Sequence, residues 1–153
     1  MPAPTEARAA GPRVHVLLAE DDAGDVLMVR EIFDQRPEDW QLHVVADGEQ
    51  ALAFLRRAGG YLDAPRPSLI LLDINMPRVT GFEVLAGVKQ DKHLRAIPVV
   101  MLTTSRAEAD VIRSYQLHAN AYVTKPADFE SFSAAVGQID DFFLRLAERV
   151  REP

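Results

Sequence analysis

Apolar residues fall along this chain in short runs, separated by longer stretches with helical spacing. Val14 to Ala19 is an apolar run bounded by "GPR" and "EDD", which suits a buried strand. Val26, Val29 and Phe33 then repeat at helical steps, and Pro37 marks the stop. Gln41 to Ala46 reads as a second strand. "DGEQALAFLRRAGG" reads as a helix with Asp47 as N-cap and Gly59-Gly60 as its end. "YLDAPRPS" is a loop stiffened by Pro65 and Pro67. "LILLD" predicts the third strand, followed by the turn "NMPRVTG" and a helix from Phe82 to Gln90. "IPVVMLT" is the fourth strand, and Ser105 with Glu108 predicts a capping box for the helix after it. "AYVTKP" is a short fifth strand closed by Pro126, and a final helix runs from Asp128 to Val150.

Strand and helix alternate five times, and the strands are apolar on both faces. Such a pattern implies an α/β fold, a parallel sheet covered on both sides by helices. Right-handed crossovers leave few topologies. The prediction is a single (βα)5 doubly wound sheet of order 2-1-3-4-5. Residues 12–150 form one domain with an elongated last helix, between a tail over 1–11 and a second over 151–153.

Composition narrows what this fold can do. The chain has 153 residues, 48% hydrophobic and 26% charged, the profile of an ordinary globular domain. It has no cysteine, which excludes disulfides and thiolate chemistry and suits a reducing cytoplasm. A net charge of −6 argues against nucleic acid or an anionic membrane as partner. No apolar run approaches the ~20 residues that span a bilayer.

In doubly wound sheets, sites lie beyond the C-terminal ends of the strands. That edge gathers Glu20, Asp21 and Asp22 after the first strand, Asp73 after the third, Thr103 and Thr104 after the fourth, and Thr124 and Lys125 after the fifth. Strands one and three are neighbours in the expected order, so Asp22 and Asp73 are expected to approach each other. Clustered carboxylates need a counter-charge, since two like charges about 4 Å apart repel by roughly 4 kcal/mol at a protein surface. All-oxygen ligands at an open site suit Mg²⁺ or Mn²⁺. With a lysine and a hydroxyl beside it, the set suits phosphoryl chemistry, and Asp73 would be the nucleophile. Asp25 reads as a helix-start residue, and Glu20 has no evident task. The four histidines, His15, His43, His93 and His118, show no common ligand spacing, and packing is the simpler reading for them.

The segments "EDD", "LLDINMPRVTGFEVL", "VVMLTT" and "AYVTKP" resemble the receiver domains of bacterial two-component response regulators. The resemblance covers Pro12 to Phe143 and implies a flavodoxin-like receiver fold. It implies that Asp73 is the phosphorylated aspartate and Asp22 the direct metal ligand. Asp21 would act through water, and Asn75 would supply a backbone carbonyl. Thr103 would bind the phosphoryl group, and Lys125, ahead of a Pro126 that is usually cis, would pair with it. Tyr122 would be the aromatic switch that turns inward when Thr103 moves, although a static edge aromatic is the plainer alternative. Thr80 stands where many receivers carry an acid, and Thr104 is larger than the residue common at its position.

"TTSRAEADVIRSYQLHANAYVTKP" and the long loop "RRAGGYLDAPRPS" resemble the stand-alone regulators paired with phytochrome-type histidine kinases. That resemblance implies a sensor kinase as partner and a cytoplasmic protein that is no enzyme beyond phosphoryl uptake and self-dephosphorylation. Ten residues follow Phe143, too few for an output module, so a signal is expected to pass through the receiver's own surface. Phe129, Phe132, Val136, Ile139, Phe143, Leu146 and Val150 form an a/d stripe. A helix spanning them is about 33 Å long, against about 17 Å for a five-residue strand. Phe142, Phe143 and Leu146 should therefore overshoot the sheet and support a homodimer. The stripe could instead be intramolecular core. Two other functions remain open: a receiver-like interaction module that works without phosphorylation, and a flavodoxin-like cofactor binder or hydrolase.

Overall fold

The computed structural model describes residues 14–35, 40–103 and 107–124, with helical positions at 130, 133–134, 137–138 and 141. Strand β1 is Val14–Ala19, helix α1 Ala23–Asp34, β2 Trp40–Val45, α2 Gly48–Arg56, β3 Leu69–Leu72, α3 Gly81–Gln90, β4 Val99–Thr103, α4 Glu108–Gln116 and β5 Ala121–Thr124. The five strands are parallel in the order β2-β1-β3-β4-β5, as the alternating pattern predicts. The second half of the expected last helix, with Phe142, Phe143 and Leu146, lies outside the described residues.

The sheet divides the apolar residues into two layers. Leu17, Ala19, Ile70, Leu72, Val99 and Met101 face one side, where they pack with Phe54 and Leu55 of α2 and Phe82, Leu85 and Val88 of α3. Val16, Leu18, Leu69, Leu71, Val100 and Leu102 face the other, against Val29, Ile32 and Phe33 of α1. This is the period-2 alternation of a pleated strand with both faces covered. Each fully buried Leu or Ile contributes about 1.5–3 kcal/mol relative to exposure.

Helix ends follow local chemistry with two departures from expectation. Asp47 caps α2 as predicted, accepting from the Gln50 N–H at 2.8 Å. That helix ends at Arg57 in left-handed conformation, before the glycines, and a 3-10 turn over Gly59–Tyr61 follows. Helix α4 starts at Glu108 with Ala107 as N-cap and no side-chain cap bond, so the expected capping box is not its start. Ser105, the other half of that box, lies outside the described residues.

Thr80 has a clear local task. It is the N-cap of α3: its Oγ1 accepts from the Glu83 N–H at 3.3 Å, and Glu83 Oε1 accepts from the Thr80 N–H at 3.2 Å. The position needs a short side-chain acceptor, and threonine supplies it as an acid would. Thr80→Ala is expected to cost about 1 kcal/mol, read as a lower urea midpoint with an unchanged slope.

At the N-terminal edge of the sheet, Lys89 ties α3 to the starts of β4 and β5. Its Nζ donates to Arg95 O, Ile97 O and Asn120 Oδ1 at 3.1, 2.9 and 3.2 Å. Asn120 Oδ1 also accepts from the Val99 N–H at 2.9 Å. These bonds hold the starts of β4 and β5, and hence the level at which Thr103 and Thr124 leave the opposite edge.

Candidate functional site

Register decides which acids meet. Ala19 of β1 pairs with Val45 of β2 and with Leu72 of β3. The next residues, Glu20 and Asp73, leave the sheet side by side. The Glu20 N–H donates to Val45 O at 3.0 Å, and the Asp73 N–H donates to Ala19 O at 3.1 Å. Both acids are buried, Glu20 at 3% and Asp73 at 7% exposure, while Asp21 is exposed. One carboxylate oxygen from each of Glu20, Asp21 and Asp73 lies within 4.8 Å of the others.

This trio differs from the expected one at a single residue. Asp22 does not join it. The chain turns into α1 at Asp22, with φ −85° and ψ 116°, and its Oδ1 accepts from the Asp25 N–H at 3.0 Å. Asp22 is therefore the helix N-cap, and Asp25 sits in the first helical turn as expected. Glu20, which had no task in the sequence, takes the place facing Asp73. The signal was present in the strand ends: the first residue after β1 sits level with the first residue after β3, and Asp22 is two residues too late.

The trio suits a small hard cation. Octahedral Mg²⁺ holds oxygens at about 2.0–2.1 Å, so opposite ligands stand about 4.2 Å apart. Three carboxylate oxygens within 4.8 Å of one another are close to one such shell. Asp21 opens to solvent, which leaves room for the waters that Mg²⁺ retains. Without a cation the three charges repel, and two of them are buried.

Local bonds orient Asp73 and the loop behind it. The Ile74 N–H donates to Asp73 Oδ1 at 2.9 Å. Ile74 and Met76 point into the core at 4% and 6% exposure, which leaves Asn75 on the outer side of the loop. The Gly81 N–H donates back to Ile74 O at 2.9 Å. A Cβ at Gly81 would stand 2.1 Å from the Asp73 carbonyl oxygen, so only glycine lets the loop close this tightly behind the acid. Arg78 occupies left-handed backbone at φ 69° and reaches Asp47 and Glu49 at 3.7 and 3.6 Å, which ties the loop to the start of α2.

The other expected site residues come from β4 and β5. Thr103 closes β4 in register with Thr124 of β5, on the same strand edge as Glu20 and Asp73. Lys125 and Pro126, the next residues, lie outside the described ones, as does Thr104. Tyr122 pairs in register with Met101, is half-buried, and packs with Leu117 against the α2–α3 layer of the core.

Comparison with known proteins places this geometry among relatives. The pattern of the response regulator receiver domain matches residues 16–137. Response regulator Rcp1 of Synechocystis sp. is 46% identical over 133 residues, which span 87% of this chain and 90% of that protein. The crystal structure of the phosphorylated cyanobacterial phytochrome response regulator RcpA superposes with a TM-score of 0.84 at 41% identity, covering 87% of this chain and 95% of that one. The Mn²⁺-bound form of Rcp1 gives a TM-score of 0.81 at 45% identity, covering 86% and 94%.

Proposed function

Since this chain belongs to the response regulator receiver domain family, we propose that it accepts a phosphoryl group on Asp73 from a sensor histidine kinase and signals through its own surface. The observation that carries the proposal is the buried Asp73 set beside Glu20 and Asp21 at the strand edge. The Ile74 N–H holds Oδ1, so Oδ2 is the attacking oxygen. Oδ2 forms the new O–P bond as the N–P bond of a phosphohistidine breaks, and the departing imidazole nitrogen takes up a proton. Thr103 and Lys125 are proposed to bind the phosphoryl oxygens from the β4 and β5 ends. Water later attacks phosphorus and restores the carboxylate, so turnover is self-dephosphorylation and not catalysis on a separate substrate.

Glu20, Asp21, Asp73 and the Asn75 carbonyl are the proposed holders of a divalent cation. When bound, Mg²⁺ or Mn²⁺ supplies positive charge against the phosphoryl oxygens. Mn²⁺ in the Rcp1 relative supports that choice. A phosphoryl group adds charge and acceptor oxygens. Drawing Thr103 toward it would free space for Tyr122, whose place two residues before Thr124 fits a switch on the α4–β5 face. The phytochrome regulators among the relatives support a phytochrome-type kinase as donor, and a cytoplasmic location goes with that donor. Among the described residues no helix is long and apolar enough to cross a membrane.

The test is intact mass after incubation with a small phosphodonor. A gain of one phosphoryl group, dependent on Mg²⁺, supports the proposal. No gain from a small donor or from the cognate kinase would leave an interaction module that works without phosphorylation.

A homodimer is part of the same proposal. Ile112 and Tyr115 are exposed on α4, beside β5. The a/d stripe read in the sequence, with Phe142, Phe143 and Leu146, is the other proposed contributor to the dimer. Light scattering at high micromolar concentration should give twice the chain mass for the wild type and the single mass for Phe143→Asp. A monomeric wild type would overturn the dimer.

A further inference from the structure

Two histidines from neighbouring strands hold each other by their rings. His15 Nδ1 and His43 Nε2 stand 3.0 Å apart, with ring centroids 5.2 Å apart and planes tilted by 39°. This is a hydrogen bond between imidazoles: one nitrogen carries a proton and the other offers its lone pair. Strand pairing imposes the contact. In the parallel register of β1 with β2, His15 is level with Gln41 and Leu17 with His43. Both rings therefore lie on the sheet face that packs on α2. His15 is five residues before Glu20, roughly 16 Å along the strand, so the pair is separate from the acid trio.

His43 is also the inner end of a row of rings that supports the long loop after α2. It packs on Phe54 at 5.3 Å between centroids, and Phe54 packs on Tyr61 at 5.5 Å. These three residues and the segment from Gly59 to Pro65 line a cavity of about 480 Å³. Among the described residues, the loop presents Tyr61 and the exposed Asp63 as titratable groups on this side. Helix α2 presents Phe54, while its Arg56 lies against Gly87 of α3. Arg57 Nε is engaged with Ala64 O at 2.9 Å. On β1, His15 itself is the facing group.

Such a bond tolerates one extra proton but not two. With one, an imidazolium still donates to the neutral ring. With two, both facing nitrogens carry hydrogens and both rings are cationic, and a 3.0 Å contact cannot hold them. We propose that the pair is a proton-operated latch on the long loop: the second proton breaks the bond, the His43 ring turns into the cavity, and the segment from Gly59 to Pro65 comes away from the sheet. The cavity supplies the room, and the Asp63 carboxylate supplies an acceptor for the turned imidazolium. Turning His43 removes its contact with Phe54 and so loosens the support of Tyr61. Burial, and secondarily His15, holds the His43 pKa below its ordinary 6.5 while the latch is closed. In the open form the ring is hydrated and titrates near its ordinary value. The open form therefore binds more protons. The latch is whole above about pH 6.5 and weakens as the pH falls from there to the closed-state pKa of His43.

The test joins two NMR measurements on the full chain. Titration of the ring protons should show His43 protonating below 6.5, in a step separate from that of His15. Amide exchange, corrected for its intrinsic pH dependence, reads the loop through the Tyr61 and Ala64 N–H groups, which donate to Ala58 O and Tyr61 O. Between neutral pH and the foot of the His43 step, their opening should increase about tenfold for each pH unit by which that step lies below 6.5. The Ile70 N–H, bonded to Pro98 O within the sheet, should keep its protection. His15→Gln offers an acceptor that a protonated His43 can keep, so the His43 step should rise and the loop response should shrink. A His93→Gln/His118→Gln double variant should behave as the wild type does. Titration of both rings in one step at 6.5, loop opening unchanged through the His43 step, or an equal rise at Ile70 would overturn the proposal, and all three are read on the wild type. A loop response undiminished in His15→Gln would overturn it as well. None of these readings depends on whether Asp73 is phosphorylated.

Discussion

Asp73→Asn removes the mass gain of one phosphoryl group under conditions that modify the wild type completely. An amide oxygen is a far weaker nucleophile than a carboxylate, and loss of a nucleophile costs at least about a thousandfold in rate. The variant should remain folded. The asparagine Oδ1 accepts from the Ile74 N–H as the carboxylate oxygen does at 2.9 Å, and its neighbours Glu20 and Asp21 lose a like charge. In the absence of divalent cations its melting temperature should therefore equal or exceed that of the wild type. Persistence of the adduct in this variant would place the acceptor elsewhere.

Asp21→Asn and Asp22→Ala should separate two adjacent acids by their effects. Asp21 contributes an oxygen to the trio, so its loss should raise the Mg²⁺ concentration needed for half-maximal phosphorylation by about 10–100-fold. Asp22 contributes an N-cap bond to Asp25, so its loss should lower stability by about 1 kcal/mol and leave the Mg²⁺ dependence unchanged. Phosphorylation kinetics against Mg²⁺ and urea denaturation, run on the same two variants, read both effects. A Mg²⁺ dependence shifted by Asp22→Ala and not by Asp21→Asn would restore the expected pairing of Asp22 with Asp73.

Much of the fold could be read along the chain because its signals are local. The apolar run Val14–Ala19 matches β1 residue for residue, and Asp47 caps α2 where expected. Five strands apolar on both faces imply a parallel sheet, and crossover handedness then limits the strand order. Boundaries were less legible. Helix α4 begins at Glu108, with Ala107 as an N-cap that makes no side-chain bond, although Ser105 and Glu108 have capping-box spacing. Spacing alone cannot say which residue has the extended backbone that a cap requires.

The sequence by itself determined the sheet order, the edge where acids gather, Asp73 as the acid of the third strand and the role of Asp25 at a helix start. Only the tertiary structure decided which acids face Asp73. Backbone bonds set Glu20 level with Asp73, while the chain turns at Asp22, which caps α1 instead. The same holds for His15 and His43. They are 28 residues apart, and only strand pairing brings their nitrogens to 3.0 Å. Local periodicity specifies elements; the register between strands distant in sequence specifies which side chains meet.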